Sequence, residues 1–501
     1  MKLKNLPLAI IVATLPTTGV FAAALDRSGQ SISSFLQPGN YFEAGISILD
    51  PTVEGKEAGT SNTRRDISDM GDDYYFPSAA IKLQPTDKFS FGLIYDKPFG
   101  ADAKYSGENV FVSDSTNTIL DPASLSAIRT STIEKTFGAL TAQQRVGAVL
   151  QAQGVDITSP VGQAKLAGTL AAYNADAATK ATIDAAVKQG VTTKVDAGLA
   201  QVNGTLGKGG TQVKVDTQNL SMIFGFQPIP SINLYAGGVY QTIKGSVSLR
   251  GQAYSLYNGY DANIKETGSV GWLAGAAYQI PEIALKASVT YRSKINHDVN
   301  VNESVPTLGA LSLLGPNGAA AATSIAAANG DTRITTPQSV NLDFQTGVMA
   351  NTIAFANLRW VNWKDFSIQP LKFGKISQAI GSLVNRPNGF NLVEYSDDQI
   401  SATVGVGRKL NDQWSGTVAV GWDSGAGNPV STLGPTEGYW NLGLGVQYSP
   451  TPQTFIAGGV KYFWLGDAKA QTGAQSGGSD YVAEFSDNNA IAYGLKIGYK
   501  F

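Results

Sequence analysis

The chain of 501 residues contains no cysteine and one histidine, His297. Without cysteine it has no disulfides, thiolate metal sites or cysteine nucleophiles. A single histidine argues against a histidine-based metal centre, and His297 near Ser293 lacks any supporting motif for a hydrolase. The sequence also lacks a glycine-rich phosphate loop and a nucleotide-binding motif. We therefore expect no catalytic residue, no metal site, no cofactor and no enzymatic activity.

Charge and long apolar runs are scarce as well. Only 15% of the residues are charged and the net charge is −2, so the sequence offers no basic surface for nucleic acid. No apolar run reaches the roughly 18 residues that a membrane-spanning helix needs. Nevertheless, 43% of the residues are apolar and 56 are glycine. The apolar residues must therefore lie in shorter segments.

The N-terminus has the three regions of a secretory signal peptide in the usual order. Lys2 and Lys4 precede an apolar segment at residues 6–15, and the alanines at 22–24 offer a small-residue cleavage site. Cleavage after Ala24 would remove residues 1–24. The sequence therefore predicts an exported protein.

The C-terminal stretch AIAYGLKIGYKF has a period of two. Apolar and aromatic residues occupy every odd position from Ile491 to Phe501, while glycine, alanine and lysine occupy the even positions. This alternation predicts a strand with one apolar face. Similar patterns predict strands at residues 40–49, 75–84, 89–97, 215–227, 232–244, 268–278, 284–294, 339–349, 352–363, 399–410, 414–422, 439–448, 455–464 and 489–501.

The connections between these segments are alternately short and long. Tight turns with proline, asparagine or aspartate fall at residues 85–88, 228–231, 281–282, 350–351, 411–413 and 449–452. Short periplasmic turns, longer outer loops and an even strand number are typical of bacterial outer-membrane barrels. We predict an all-β fold, a transmembrane antiparallel β-barrel of about 14 strands over residues 40–501, in the outer membrane of a Gram-negative bacterium.

The alternation also predicts which side chains face the lumen. Leu285, Ala287, Val289 and Tyr291 would face lipid, which turns Lys286, Ser288, Thr290, Arg292 and Lys294 inward. Arg359 and Lys461 fall on the inward register of their strands. A basic side chain facing lipid at mid-membrane costs about 2 to 4 kcal/mol, which favours this orientation.

Two segments outside the strand pattern are large enough to cover the barrel mouth. Residues 98–213 form a long, alanine-rich outer loop with helical spacing of apolar residues at 122–153 and 160–189. These helices either pack on one another above the mouth or help to bind a ligand. Residues 306–328 form a second apolar loop that would lie across the mouth.

Residues 25–39 are polar, contain Gly29, Pro38 and Gly39, and have no sustained periodicity. This segment precedes the first strand and is a candidate plug for the lumen. We refer to it as the hatch, and its candidate functional residues are Arg27, Gly29, Pro38 and Gly39.

Several motifs occur together along the chain: FSFGLIYDKPFGADAKY (89–105), IPEIALKASVTYRSKI (280–295), FANLRWVNWKDF (355–366), LNDQWSGTVAVGWD (410–423), YWNLGLGVQYSP (439–450) and the final YGLKIGYKF. In this combination the sequence resembles the FadL/TodX-like outer-membrane transporters of long-chain fatty acids and aromatic hydrocarbons. The resemblance implies a fourteen-stranded barrel, an N-terminal hatch, a greasy groove in the outer loops and lateral passage of ligand through a gap at a kinked third strand.

The hatch departs from the family pattern, whereas the third strand resembles it. The family hatch is longer and carries an Asn-Pro-Ala turn, to which the nearest counterpart here is residues 37–40. Asp96, Pro98 and Gly100 lie where the kink is expected, because proline in a barrel wall breaks the ladder. The alternative is that Pro98 only begins the long loop.

The expected function is passive uptake of a hydrophobic compound, most readily a long-chain fatty acid, with an aromatic hydrocarbon as the other ligand class. The alternatives are a polar-solute or non-specific porin and a surface receptor. Arg292, Arg359 and Lys461 are candidate partners for a ligand carboxylate, or they form ion pairs with inward acids such as Asp343. Expected partners are the ligand and the outer-membrane lipid and lipopolysaccharide, with the protein a monomer.

Overall fold

A computed structural model describes residues 25–114, 116–120, 122–314 and 316–501, and the predicted signal peptide lies outside the described residues. A continuous antiparallel sheet forms the main body. Its wall strands are β1 (Tyr41–Thr52), β2 (Tyr74–Leu83), β3 (Phe89–Asp96), β4 (Gln212–Ile229), β5 (Ile232–Ser248), β6 (Asp261–Ile280), β7 (Leu285–Arg292), β8 (Ser339–Met349), β9 (Thr352–Val361), β10 (Gln399–Lys409), β11 (Trp414–Asp423), β12 (Tyr439–Tyr448), β13 (Thr454–Leu465) and β14 (Asn489–Lys500).

The sheet closes on itself. Each wall strand pairs with the next one along the chain, and β14 pairs with β1 from Tyr41↔Lys500 to Thr52↔Asn489. The closed fourteen-stranded antiparallel barrel confirms the predicted fold class. All the predicted strands are present, but β4, β5 and β6 extend several residues further toward the outer loops than the alternation indicated.

The two faces of the wall differ as predicted. On β14, Tyr493 and Leu495 are exposed on the outer face, whereas Ala492 and Lys496 are buried on the inner face. Aromatic pairs lie near both ends of the strands: Trp414 with Tyr448 at the turn side, and Tyr462 with Trp464 at the loop side. Such bands mark the two interfaces of an outer-membrane barrel.

Helices occur in the outer loops: α1 (Pro122–Gly138), α2 (Ala142–Ala152), α3 (Pro160–Ala175), α4 (Ala177–Asn203), α5 (Pro316–Ala326) and α6 (Leu371–Ile380). Helices α1 to α4 share a core of their own around Ile133, Val146, Leu150, Tyr173 and Val187. The predicted helical loop is therefore confirmed, and its helices pack on one another. Val161, one of the apolar residues in the predicted helical segment 160–189, does not join this core and is 80% exposed.

None of the helices in the described part of the chain is both long enough and apolar enough to cross a membrane.

The mouth of the barrel is covered by packed loops. Short 3₁₀ helices lie at Gln252–Tyr257, Pro306–Leu314 and Gly381–Val384, with another at the Pro281–Ile283 turn. A five-stranded sheet combines Val430–Ser431, Ala468–Gln471, Ala483–Phe485, Gly55–Glu57 and Asp66–Ile67; the other loop pairs are Val112–Ser113 with Gly209–Gly210, and Ser367–Ile368 with Val393–Glu394. A large apolar core, including Leu311 and Ile325 of the second apolar loop, joins these elements over the lumen.

The wall is interrupted at β3. This strand ends at Asp96, and the chain rejoins β4 as a short strand at Gly100–Lys104. Pairing of β2 with β3 stops at Ala79↔Tyr95, although β2 continues to Tyr74. The gap between residues 74–78 of β2 and residues 96–99 is called the wall opening below.

Strand β7 also leaves the wall early. It ends at Arg292 rather than at the predicted Lys294. The chain then forms a hairpin of Ile295–Val299 with Thr332–Thr336, while Val301–Ser304 returns to pair with β6. Buried His297 of this hairpin lies 2.9 Å from the Gln241 side chain of β5, Nε2 to Oε1. The hairpin therefore packs against the inner face of the wall.

The helical insertion should be dispensable for the barrel, because its core is separate and it supplies no wall strand. Arg129 of α1 and Asp196 of α4 form an ion pair of 2.6 Å, so a short glycine-serine linker can replace residues 131–194 beyond that pair. We expect this deletion to retain heat-resistant migration in gel electrophoresis. Loss of that migration would mean that the bundle is required for the barrel to fold.

Candidate functional site

The hatch lies inside the barrel and has its own apolar anchor. Ile32, Phe35 and Leu36 are almost fully buried against wall and hairpin residues. Gly92 on β3 leaves the space that Phe35 fills, since a Cβ there would lie 2.5 Å from the phenylalanine ring. Burying three large side chains stabilises the closed hatch by about 1.5 to 3 kcal/mol each.

A tight turn at Ser28–Gln30 places the hatch against the wall. Gly29 and Gln30 both have positive φ angles, 59° and 52°. The carbonyl of Gly29 accepts a hydrogen bond from Asn341 Nδ2 at 2.7 Å, and the carbonyl of Gln30 accepts one from Arg292 Nη2 at 3.2 Å. Because glycine adopts this backbone conformation at low cost, Gly29 suits the turn.

A buried ion pair locks the start of the hatch. Arg359 Nε donates to Asp26 Oδ2 at 2.7 Å, and both side chains are 4% exposed. Arg359 also donates to Asn341 Oδ1 at 2.7 Å and to Gln30 Oε1 at 3.1 Å. We call the Asp26–Arg359 pair the latch, because it joins the first residues of the hatch to β9.

The residues before the turn fill the wall opening. Arg27 N donates to the Pro98 carbonyl at 2.7 Å, and Gly100 N donates to the Leu25 carbonyl at 2.9 Å. Ser28 Oγ donates to Asp96 Oδ2 at 2.5 Å. Residues 25–28 therefore satisfy backbone groups that the interruption of β3 leaves without a neighbouring strand.

The other end of the hatch is held near the periplasmic turns. Lys82 Nζ donates to the Gln37 carbonyl at 2.5 Å, and Lys286 Nζ donates to the Leu36 carbonyl at 3.1 Å. Gly39, with φ 67°, donates its N–H to Gln84 Oε1 at 3.2 Å. Pro38 lies beside these contacts and faces a cavity.

This cavity, the lower cavity, has a volume of about 330 Å³ and lies between the hatch and the wall. Its lining includes the lysines Lys286, Lys461 and Lys496 and the acids Glu43 and Asp343. Small-molecule sites in proteins have volumes of about 300 to 1,000 Å³, so the lower cavity is at the small end of that range.

The lower cavity continues into the wall opening. Ser28, Ile94 and Asp96 line it there, together with residues 76–80 of β2 beside the opening. The cavity thus reaches the wall at the place where β2 and β3 are unpaired.

A second cavity, the upper slot, lies on the loop side of the hatch and has a volume of about 60 Å³. Aliphatic residues such as Val213, Val247 and Leu392 form most of its lining, and Leu25 and Arg27 form its lower end. Burial raises the pKa of nearby Glu437 to about 7, so this carboxyl is partly protonated at neutral pH. Residues 25–28 separate the upper slot from the lower cavity.

The three predicted cations do not form one group. Arg292 and Arg359 both contact Gln30 of the hatch, whereas Lys461 lies in the lower cavity. Sequence reasoning named an ion pair with an inward acid such as Asp343 as the alternative role of these cations. The acid that pairs with Arg359 is Asp26 of the hatch, whereas Asp343 accepts hydrogen bonds from Asn357 and Ser288.

Sequence reasoning missed Asp26, Ser28, Gln30 and Tyr74. One signal was available for Asp26, since Asp26 and Arg27 are the only charged residues in the hatch. The others are ordinary polar residues whose role depends on contacts with distant strands.

The sequence matches the family described as outer membrane protein transport protein (OMPP1/FadL/TodX) over residues 242–501, more than half of the chain. A Pseudomonas aeruginosa FadL homologue is 13% identical, with a TM-score of 0.55 over 94% of this chain and 92% of that chain. The Pseudomonas putida toluene transporter TodX is 9% identical, with a TM-score of 0.50 over 97% of this chain and 98% of that chain. The search of curated proteins gave no significant match.

Substituting Arg359 by glutamine should loosen the hatch. The Asp26 carboxylate would remain buried without its charge partner, which destabilises such a site by about 3 to 5 kcal/mol. We expect faster hydrogen–deuterium exchange at residues 25–28 in the folded barrel, and less effect when Asp26→Asn is added. Arg333→Gln, which breaks an exposed ion pair with Asp298, is the matched control. Unchanged exchange in Arg359→Gln would contradict the role of the latch.

Proposed function

The chain belongs to the OMPP1/FadL/TodX family of outer membrane transport proteins, and from this premise we propose that it takes up long-chain fatty acids and releases them sideways into the membrane. As a member, it is an outer-membrane transporter of hydrophobic compounds and not an enzyme. The proposal concerns the ligand, the route and the residues that serve them.

The outer loops capture the ligand first. Their apolar core lies over the upper slot, and the slot offers a mainly aliphatic lining for a hydrocarbon tail. A slot of about 60 Å³ is smaller than ordinary ligand sites, so a tail can enter fully only when the loops or the hatch move. In this proposal the closed structure is the state before the ligand enters.

The observation that carries the lateral route is the continuity of the lower cavity with the wall opening. Displacement of residues 25–28 would join the upper slot to the lower cavity and, through the opening, to the membrane. Unpaired backbone in a barrel wall is tolerated where it borders a cavity, which describes the edge of β2 here. The ligand would thus leave beside Asp96, Pro98 and Gly100.

Partition into lipid supplies the driving force. Moving apolar surface out of water is favourable by about 0.8 kcal/mol per methylene, so a tail of about sixteen carbons gains on the order of 10 kcal/mol. The route needs no nucleotide and no cofactor. The protein only has to provide a path past the polar lipopolysaccharide layer.

Arg292, Arg359 and Lys461 remain the proposed partners for a ligand carboxylate along this route. Arg292 and Arg359 are occupied by the closed hatch, so they become accessible only once it moves. Lys461 already lines the lower cavity. Charge-assisted hydrogen bonds to such cations would offset the desolvation of a carboxylate inside the barrel.

A polar-solute or non-specific porin is the other candidate function. A porin needs an open polar lumen, whereas here the hatch and the packed loops lie across it. Conductance of the purified protein in a planar bilayer separates the two functions, since we expect the closed hatch to give little ion current.

Replacing Pro98 by valine tests the lateral route. Valine supplies the N–H that proline lacks and favours strand pairing, so β3 should close more of the opening. We expect fatty acid uptake to fall several-fold while heat-resistant migration is unchanged.

A variant lacking the hatch residues 25–39 provides the comparison. If Pro98→Val left uptake unchanged, or if Pro98→Val and the hatch deletion lowered uptake equally, the ligand would pass straight through the lumen and the lateral route would be wrong.

A further inference from the structure

The sheet has a second interruption, at the edge of β6 that faces away from β5. Residues 273–280 of β6 pair with β7, and residues 261–264 pair with Val301–Ser304. Between these segments, residues 265–272 have no strand partner on that side in the part of the chain that the structure describes, because β7 ends at Arg292 and the hairpin turns inward. We call the space beside residues 265–272, outside the hairpin, the outer recess.

The hairpin behind the outer recess is firmly packed. Its buried face includes Ile295 and Ile334, which are 5% and 0% exposed. Gly271 of β6 leaves the space for Ile295, since a Cβ there would lie 2.5 Å from that side chain. Thr336 Oγ1 donates to the Oε1 atom of buried Gln241 at 2.7 Å. The outer recess is therefore a fixed feature of the folded barrel and does not depend on movement of a loop.

The opposite face of the hairpin is polar and exposed. Asp298 and Arg333 form an ion pair of 2.8 Å, and their side chains are 58% and 65% exposed. Beside them, Thr335 Oγ1 donates to Asn296 Oδ1 at 2.9 Å. Charged groups and unpaired backbone groups are costly next to hydrocarbon, so this face and the free edge of β6 need polar surroundings. The outer recess therefore faces polar head groups rather than acyl chains.

Apolar side chains mark the lower border of the outer recess. Trp272 and Val270 lie on the outer face of β6 and are 53% and 74% exposed. The ring of Trp272 lies 5.1 Å from that of Tyr291 on β7, centroid to centroid. Aromatic bands of this kind mark the interface between hydrocarbon and head groups. Since β6 runs from the outer loops to the turn at Pro281–Ile283, the outer recess begins at the outer edge of the hydrocarbon.

Two basic side chains border the outer recess. Lys265 lies on β6, and Lys294, which the alternation placed in the lumen, lies at the start of the hairpin; both are exposed. Among the described residues, no acid lies within ion-pair distance of either ammonium group. The acids on this stretch of β6 and on the exposed face of the hairpin already have basic partners: Glu266–Lys244 at 3.7 Å and Asp298–Arg333 at 2.8 Å. The outer recess therefore offers two cations to an anion.

We infer that the outer recess binds the phosphorylated sugar head group of a lipopolysaccharide in the outer leaflet. Lys265 and Lys294 pair with phosphate groups through charge-assisted hydrogen bonds, as basic pockets at membrane surfaces do. Asn296 and the free backbone edge of β6 bind sugar hydroxyls, and acyl chains lie along Val270 and Trp272. A phospholipid offers a phosphate without these hydroxyls and so matches fewer of the groups. This site is separate from the proposed uptake route.

The experiment titrates lipid A, the phosphorylated disaccharide part of lipopolysaccharide, onto the purified full barrel in detergent, with native mass spectrometry as the measurement. The wild type is compared with Lys265→Gln/Lys294→Gln. The control is Lys88→Gln/Lys165→Gln, which removes an exposed lysine from a periplasmic turn and another from α3. A basic side chain at a charged membrane surface contributes about fivefold in affinity, so Lys265→Gln/Lys294→Gln should bind about 25-fold more weakly. The control should bind like the wild type.

Dephosphorylated lipid A should bind the wild type and both variants equally weakly. Unchanged affinity for lipid A in Lys265→Gln/Lys294→Gln, or an equal loss in the control, would overturn the inference. An equal loss for the dephosphorylated lipid would mean that the lysines shape the hairpin and do not recognise phosphate. Displacement of lipid A by an equal concentration of phosphatidylglycerol would make the outer recess a general site for anionic lipids and would also contradict the assignment. Heat-resistant migration of each variant shows that the barrel is folded.

Discussion

Every backbone N–H and C=O in a membrane barrel needs a partner, and this requirement governs the structure. Closure of β14 on β1 satisfies it around the wall. The wall opening is the place where it is not satisfied by a neighbouring strand, and residues 25–28 supply hydrogen bonds there instead. The hatch therefore lies in the lumen and also completes part of the wall's backbone hydrogen bonding.

Different interactions hold the two halves of the hatch in place. Phe35 and Leu36 hold its second half by apolar burial, whereas the latch and a few hydrogen bonds hold its first residues. Removing one partner of a buried ion pair is strongly destabilising, because the other charge stays buried without compensation. This cost is avoided when another charge of the same sign takes the place of the lost partner. On the proposed route, the first residues leave the opening while the rest of the hatch stays anchored, and an anion compensates the cations left behind.

The sequence predicted the wall well because lipid imposes a period of two that can be read locally. Pro98 indicated the interruption of β3 for the same reason, since the loss of an N–H is a property of one residue. The outer extensions of β4 to β6 were missed because the alternation weakens beyond the lipid. The end of β7 at Arg292 was not predicted, because no proline or glycine follows closely in the sequence. The latch joins residues 333 positions apart, so no local pattern identifies Asp26 as the partner of Arg359.

The most direct measurement of the central claim is a reversible covalent closure of the wall opening. Asp26 and Phe99 are antiparallel bridge partners, a spacing compatible with a disulfide, and the chain has no other cysteine. In the Asp26→Cys/Phe99→Cys variant, oxidation should abolish fatty acid uptake and reduction should restore it, with Asp26→Cys alone indifferent to oxidation. Equal uptake by the oxidised and reduced double variant would contradict the claim that residues 25–28 must leave the opening.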